Sequence, residues 1–273
     1  MKKRGADKNA AAPAPETRSG GDVWSLHVLG TGAASAVDLG SSGAVLERDG
    51  EPLLLIDCGP GTLEHYLRCY GALPSAVFIT HGHMDHVAGL ERLFHAAWFH
   101  SRQRGQVKLF AHANLVPILQ GRAADYPNAL AEGGVNFWEA FRFIPLSRGF
   151  WLDGWWFDVF ATRHHLPGTS FGMALRGSFA WTGDTRPIPE QLLVHSDERT
   201  LVAHDCALVG NPSHTGVEDL EREYPEELRN RLLLYHYGSE ADAAALRERG
   251  FKVAVPDGRY PLQAPHPVRP EAG

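Results

Sequence analysis

Cysteine is scarce in this chain: three occur in 273 residues, Cys58, Cys69 and Cys206. The number is odd and no two are spaced as CxxC, which excludes a disulfide framework and a cysteine-built zinc cluster as organising features. Such usage fits a reducing compartment, the cytoplasm. Long apolar runs are missing as well. No stretch approaches the ~18–20 apolar residues of a membrane helix. The start, Met1-Lys2-Lys3-Arg4, is basic, but residues 5–21 are alanine, proline and polar groups without a secretory apolar core. Positive charge is in deficit: 26 Lys and Arg face 32 Asp and Glu, a net −6, which argues against a general nucleic-acid or membrane binder. No internal repeat or low-complexity stretch lies between Asp22 and Gln263.

What remains is material for one domain with a sizeable core, since 44% of the residues are apolar. We read residues 1–21 as a flexible tail, 22–262 as the domain and 263–273 as a loose tail, with the proline-rich chain from Pro256 onward expected to be loose.

Histidine is plentiful, and three of the 15 fall with one aspartate in Thr80-His81-Gly82-His83-Met84-Asp85-His86, directly after the apolar run Ala76–Ile79. A strand ending at Thr80 releases His81 and His83 where alternate side chains share a direction, so the two can hold one ion. Asp85 and His86 are adjacent and open a helix expected through Val87–Phe99, which turns them toward a second ion.

The surrounding chain alternates strands and helices. Val23–Leu29 reads as a strand, Ala44–Leu46 and Pro52–Ile56 as a hairpin about Asp49-Gly50, and Leu63–Tyr70 as a helix carrying a structural His65. Val107–Ala111 reads as a strand and Asn114–Gln120 as a helix. His95, His100 and His112 lack ligand partners at a sensible spacing, and the basic loop Ser101–Gly105 reads as solvated. Residues 137–160 are dense in aromatics, with a two-residue turn at Asp153-Gly154. They read as core, with an active-site rim or a homodimer contact as the alternative. Ser239–Gly250 carries the cap and stop signals of a helix.

The histidine motif resembles the signature of the metallo-β-lactamase superfamily of metal-dependent hydrolases. Leu29-Gly30-Thr31-Gly32, Ser41-Ser42-Gly43 and Leu55-Ile56-Asp57-Cys58-Gly59-Pro60-Gly61-Thr62, in that order before it, are similar to the opening of the ribonuclease Z branch. The resemblance implies an α/β fold, a four-layer αββα sandwich with the site at one edge. It also implies the distant ligands. Phe157–Arg163 alternates like a strand and ends in His164-His165, one of which is the third histidine; the apolar pattern before it favours His164 over His165. Ala180-Trp181-Thr182-Gly183-Asp184-Thr185 resembles the family's GDT element, and Leu232-Leu233-Leu234-Tyr235-His236 its final histidine. One ion would then take His81, His83, His164 and Asp184, and the other Asp85, His86, His236 and the shared Asp184. Imidazole and carboxylate without thiolate suit two zinc ions, and manganese or iron are compatible.

Two such ions activate a bridging hydroxide and clamp the attacked and departing oxygens of a phosphodiester. In the ribonuclease Z branch a His-Glu strand and a later His-Ser-Thr element supply a general acid and its holder. Here Val202-Ala203-His204-Asp205 and Ser213-His214-Thr215 occupy those places, so His214 would protonate the leaving oxygen while Asp205 holds its ring. Asp85 joins them as a catalytic residue. In the plainer reading His214 only caps the following helix. The basic arm with which that branch grips tRNA is missing between residues 87 and 160. The expected function is therefore hydrolysis of a small or nucleotide-like phosphodiester, with no membrane partner. The alternatives are a tRNA 3′-processing endonuclease acting on RNA, a lactonase or thioesterase, and a metal-binding regulatory protein without turnover.

Overall fold

The computed structural model describes residues 22–100, 102–129 and 133–267. The tail 1–21 and Ser101 of the basic loop lie outside them, as does the end of the chain from 268. Among the described residues, fourteen strands form two seven-stranded sheets.

The first sheet has the order β14-β1-β2-β3-β4-β5-β6. In chain order these are β1 (Trp24–Gly30), β2 (Gly43–Arg48), β3 (Glu51–Ile56), β4 (Ala76–Ile79), β5 (Val107–His112), β6 (Phe141–Leu146) and β14 (Arg259–Leu262). The second has the order β13-β12-β11-β10-β9-β8-β7, comprising β7 (Gly149–Leu152), β8 (Trp155–Ala161), β9 (Phe171–Leu175), β10 (Phe179–Trp181), β11 (Leu201–Asp205), β12 (Leu232–Tyr235) and β13 (Lys252–Val253). Both hairpin turns form as the sequence signals. Asp49 and Gly50, and likewise Asp153 and Gly154, all have positive φ, the backbone of the tight two-residue turn that follows strand twist.

The inner faces of the sheets pack together. Phe150 of β7 stacks on Phe110 of β5 at 4.2 Å between ring centroids, and Trp24 of β1 meets Trp155 of β8 edge-on at 5.4 Å. Helices cover the outer faces: α1 (Thr62–Tyr70) and α3 (Leu90–Phe99) on the first sheet, and α5 (Pro189–His195), α6 (Val217–Glu223), the short α7 (Glu226–Arg229) and α8 (Glu240–Glu248) on the second. Double coverage explains the continuous apolar runs. In β12, Leu233 and Tyr235 join the core between the sheets, whereas Leu232 and Leu234 join the core beneath the outer helices. This is the expected four-layer αββα sandwich. No helix among the described residues is long and apolar enough to cross a membrane.

Three local expectations are corrected. The helix expected over Val87–Phe99 is two, α2 (Met84–Val87) and α3. The chain at Cys58 enters the gap, its N–H donating to His86 O and its carbonyl accepting from Gly89 N, both at 2.8 Å. A Cβ on Gly89 would stand 2.6 Å from Gly59 O, so glycine is what permits the approach. The helix expected over Asn114–Gln120 is one short turn, α4 (Val116–Leu119), followed by a wider π turn over Gln120–Ala124. From Pro256 the chain is not loose: β14 pairs antiparallel with β1, Pro261 opposite Ser25. Proline is tolerated because β14 is an edge strand. Of the carboxyl-terminal tail, His266 N–H donates to Arg176 O at 2.9 Å.

Candidate metal centre

Several strands end at the same rim. β3 and β4 run parallel, as do β10, β11 and β12, so the loops at their carboxyl ends converge, the usual location of function in such sheets. His81 and His83 follow β4, Asp85 and His86 lie on α2, His164 follows β8, Asp184 follows β10 and His236 follows β12. His236 holds a positive φ of 66°, which costs a non-glycine residue roughly 1–2 kcal/mol. The strain is fastened by its N–H donating to Thr31 O at 2.8 Å, in the glycine turn after β1.

The seven side chains meet in two groups of four that share Asp184. In the first, His83 Nδ1 is 3.1 Å from His81 Nε2 and 2.9 Å from His164 Nε2. Asp184 Oδ2 is 3.6 Å from His81 Nε2 and 3.7 Å from His164 Nε2. In the second, His86 Nε2 stands 3.4 Å from Asp85 Oδ2 and 3.3 Å from Asp184 Oδ1. His236 Nε2 stands 3.6 Å from Asp85 Oδ2 and 3.3 Å from Asp184 Oδ2. Donors about 2.0–2.1 Å from a tetrahedral zinc ion lie about 3.3 Å from one another, so both groups have the dimensions of a cage. His165 is exposed, its ring 4.6 Å from that of His83, and takes no place in either group.

Three atoms in the second group, His86 Nε2, His236 Nε2 and Asp184 Oδ1, are buried without a hydrogen-bond partner. Orphaned buried polar atoms are costly, and here they converge on a shared space that a cation would satisfy. The field agrees. Burial resists a charge on His86, yet the Asp184 and Asp57 carboxylates raise its pKa well above the ordinary value. Burial resists it on His236 too, yet Asp184 and Asp205 lift it to about 10. In the first group burial and neighbouring imidazoles act together: His83 falls to about 4, and His81 is held well below its ordinary value by burial first and then by His86. Neutral imidazoles beside an ionised carboxylate are metal donors.

Each ring is oriented by its other nitrogen or by a neighbour. His164 Nδ1 donates to Ser213 O at 2.8 Å, and His236 Nδ1 lies 3.4 Å from Asp205 Oδ1. Asp57, quoted above only for its motif, is central to this support. Its Oδ2 accepts from His86 Nδ1 and from Thr80 Oγ1, both at 2.8 Å. Thr80 Oγ1 in turn stands 3.0 Å from His81 Nδ1. One fully buried carboxylate thus steadies a histidine in each group. Outer partners of this kind are worth roughly 10–100-fold in metal affinity. Asp57→Asn should lose that much in a competition titration with a chelator, and unchanged affinity would remove Asp57 from the site.

Next to the metal groups, His214 Nδ1 donates to Asp205 Oδ2 at 2.9 Å, and its ring stacks on His236 at 4.9 Å. Asp205 is fully buried and also accepts from Thr185 N–H at 2.8 Å. Burial opposes protonation of His214, but Asp205 outweighs it and raises the pKa. His214 is not a helix cap: Gly216 precedes α6, and its N–H donates to Asp219 Oδ2. The groups open into a cavity of about 740 Å³ whose walls include Ala34, Asp85, Leu208, Asn211, His214 and His236. A second recess on the far side of His83 is lined by Ile118, Arg122, His164, His165 and Leu166.

With this geometry in place, the comparisons with known proteins are decisive. The sequence profile described as "Anti-Pycsar protein Apyc1" matches residues 24–260. The chain belongs to the Anti-Pycsar protein Apyc1 family. It is 30% identical over 245 residues to the Anti-Pycsar protein Apyc1 of Paenibacillus harenae, covering 86% of this chain and 98% of that one. Among solved structures it is similar to the metallo-β-lactamase fold protein YhfI of Bacillus subtilis, with a TM-score of 0.65, 17% identity and coverage of 88% and 99%. It is also similar to a diphosphatase of the PhnP family, with a TM-score of 0.67, 17% identity and coverage of 87% and 97%. This member of the family therefore has the metallo-β-lactamase fold, as the sequence resemblance implied.

Proposed function

We propose that this protein hydrolyses a small or nucleotide-like phosphodiester with two divalent ions, zinc by preference, held by His81, His83, His164 and Asp184 on one side and Asp85, His86, His236 and Asp184 on the other. The observation that carries the reading is the conjunction of two donor groups sharing one carboxylate with a histidine–aspartate pair on the wall of the same cavity. When bound, the ions activate water and neutralise charge on the phosphoryl oxygens.

The chain's own residues do the rest. Asp184 presents Oδ2 to both groups and Oδ1 to His86 of the second, and its charge would offset part of the repulsion between two cations. Asp85 adds a second negative charge on the wall of the cavity. His214 has its Nδ1 committed to Asp205, so Nε2 is the nitrogen that can carry a proton to the leaving oxygen, the geometry of a general acid. Ala34 and Leu208 form an apolar lip, suited to the organic part of the substrate.

A small substrate is favoured by the scale of the cavity, within the roughly 300–1,000 Å³ range of small-molecule sites. It is favoured also by the segment between α2 and β8, whose elements among the described residues are all short, none longer than the 10 residues of α3. A tRNA endonuclease needs many phosphate contacts for affinity, and a net charge of −6 gives no long-range attraction to RNA.

The test is a panel with metal-loaded protein: bis(p-nitrophenyl) phosphate, a phosphomonoester, precursor tRNA, a lactone and a thioester. The expected result is cleavage of the simple diester, abolished by a chelator and restored by zinc or manganese. Cleavage of precursor tRNA alone would transfer the assignment to the endonuclease, and cleavage of the lactone or thioester alone would move it to those classes. Full metal loading with no turnover would leave a binding protein.

A further inference from the structure

A second cluster of donor side chains lies away from the cavity, where the turn before β14 meets β1 and α1. His27 on β1 is fully buried, and its Nε2 faces Asp257 Oδ1 at 3.4 Å. Cys69 on α1 lies on the same spot, and the ligand atoms of His27, Cys69 and Asp257 are all within 4.8 Å of one another. His65, one helical turn before Cys69, donates Nε2–H to the same Asp257 oxygen at 2.6 Å.

We propose that His27, Cys69 and Asp257 form a third cation site, selective for a borderline-soft divalent ion such as zinc or cobalt, that fastens the end of the chain to β1 and α1. Three arguments support it. The first is geometry. The His27–Asp257 separation is the edge of a tetrahedral cage, about 3.3 Å, and longer than a good hydrogen bond to a carboxylate. The second is orientation. Nδ1 of the buried ring is engaged by Tyr70 Oη at 2.7 Å and by Arg259 Nη2 at 3.1 Å, which leaves Nε2 as the nitrogen that faces the Asp257 carboxylate, the atom that a cation there would take.

The third argument is charge balance. Arg259 is committed to buried Glu47, Nε to Oε1 at 3.2 Å, and the two cancel. The Asp257 carboxylate and a Cys69 thiolate then match one dication. On binding, Cys69 gives its thiol proton to solvent as the sulfur–metal bond forms, with no change of oxidation state. Burial and the nearby Asp257 keep the thiol protonated otherwise, so loading is expected to release a proton. Asp257 and Cys69 are exposed, which leaves the ion a path in, and His65 orients the carboxylate from outside, as outer partners do at metal sites. The residues joined are 230 positions apart in sequence, His27 to Asp257.

Cobalt reports on this site without interference, because the catalytic groups offer only nitrogen and oxygen donors. The other two cysteines, Cys58 and Cys206, are buried. The full-length protein, stripped with a chelator and reloaded with Co²⁺, should show a thiolate-to-cobalt charge-transfer band. That band should vanish in Cys69→Ser and need at least tenfold more cobalt in Asp257→Asn. Zinc content should fall by one ion per chain in Cys69→Ser. Absence of the band, or a band and zinc content indifferent to both substitutions, overturns the proposal. Asp184→Asn should keep the band, so a failure at the catalytic groups and a failure here are read separately.

Discussion

Asp184→Asn is expected to reduce phosphodiester hydrolysis below about one thousandth of the wild-type rate, a loss of about 4 kcal/mol in transition-state stabilisation, and to lower metal content. The carboxylate is 1% exposed and contributes to both groups, Oδ2 facing His81, His164 and His236 and Oδ1 facing His86. Burial raises its pKa, but the imidazoles of His236, His86 and His81 overcome this and hold it well below the ordinary carboxylate range. It is therefore an anion at any working pH. Asparagine preserves shape and removes the charge, leaving the cations to repel one another in a site of low dielectric. Metal per chain by mass spectrometry and kcat by product release test this together. A variant with two ions and activity within tenfold of wild type would refute the shared-carboxylate arrangement.

The second large effect is expected from His214→Ala. A general acid contributes typically 10²–10⁴-fold, and the loss should depend on the leaving group. A diester that expels an alkoxide needs the proton and should slow by that amount. Bis(p-nitrophenyl) phosphate, which expels a stabilised phenolate, should slow by less than about tenfold. Metal content should not change. Equal losses on the two substrates would show that His214 shapes the site without donating a proton. Asp205→Asn should be worse than the loss of the acid alone, because the same carboxylate also stands beside His236 Nδ1 at 3.4 Å. The two substitutions share a network, so their effects should not add.

Much of the site was legible in the sequence because four of the seven side chains fall within the six residues His81–His86. Once the strand before them was recognised, its loop geometry followed. His164 was separable from His165 through the superfamily's pattern of apolar positions two, five and seven residues before the ligand, which Thr162, Val159 and Phe157 fill for His164. Asp57 was not legible as a support. Its motif was visible, but its role depends on β3 lying next to β4 and on a left-handed backbone φ of 60°, neither of which the local sequence specifies. The break between α2 and α3 escaped for a similar reason. It is made by a hydrogen-bonding intruder from Cys58, 31 residues upstream of Gly89. The composition of the Pro256–Leu262 stretch signalled a loose end, but the open edge of β1 recruits it as a strand, a tertiary override of local preference.

The recesses on either side of His83 give the centre a handedness. His214 guards one of them, whereas Ile118, Arg122 and Leu166 furnish the other. On the proposed phosphodiesterase function, an unsymmetrical diester would lie across the rim in one of two opposite orientations, and only one of them would put the departing oxygen beside His214. Regiochemistry, which of two ester bonds is broken, is then decided by which substituent each flank admits.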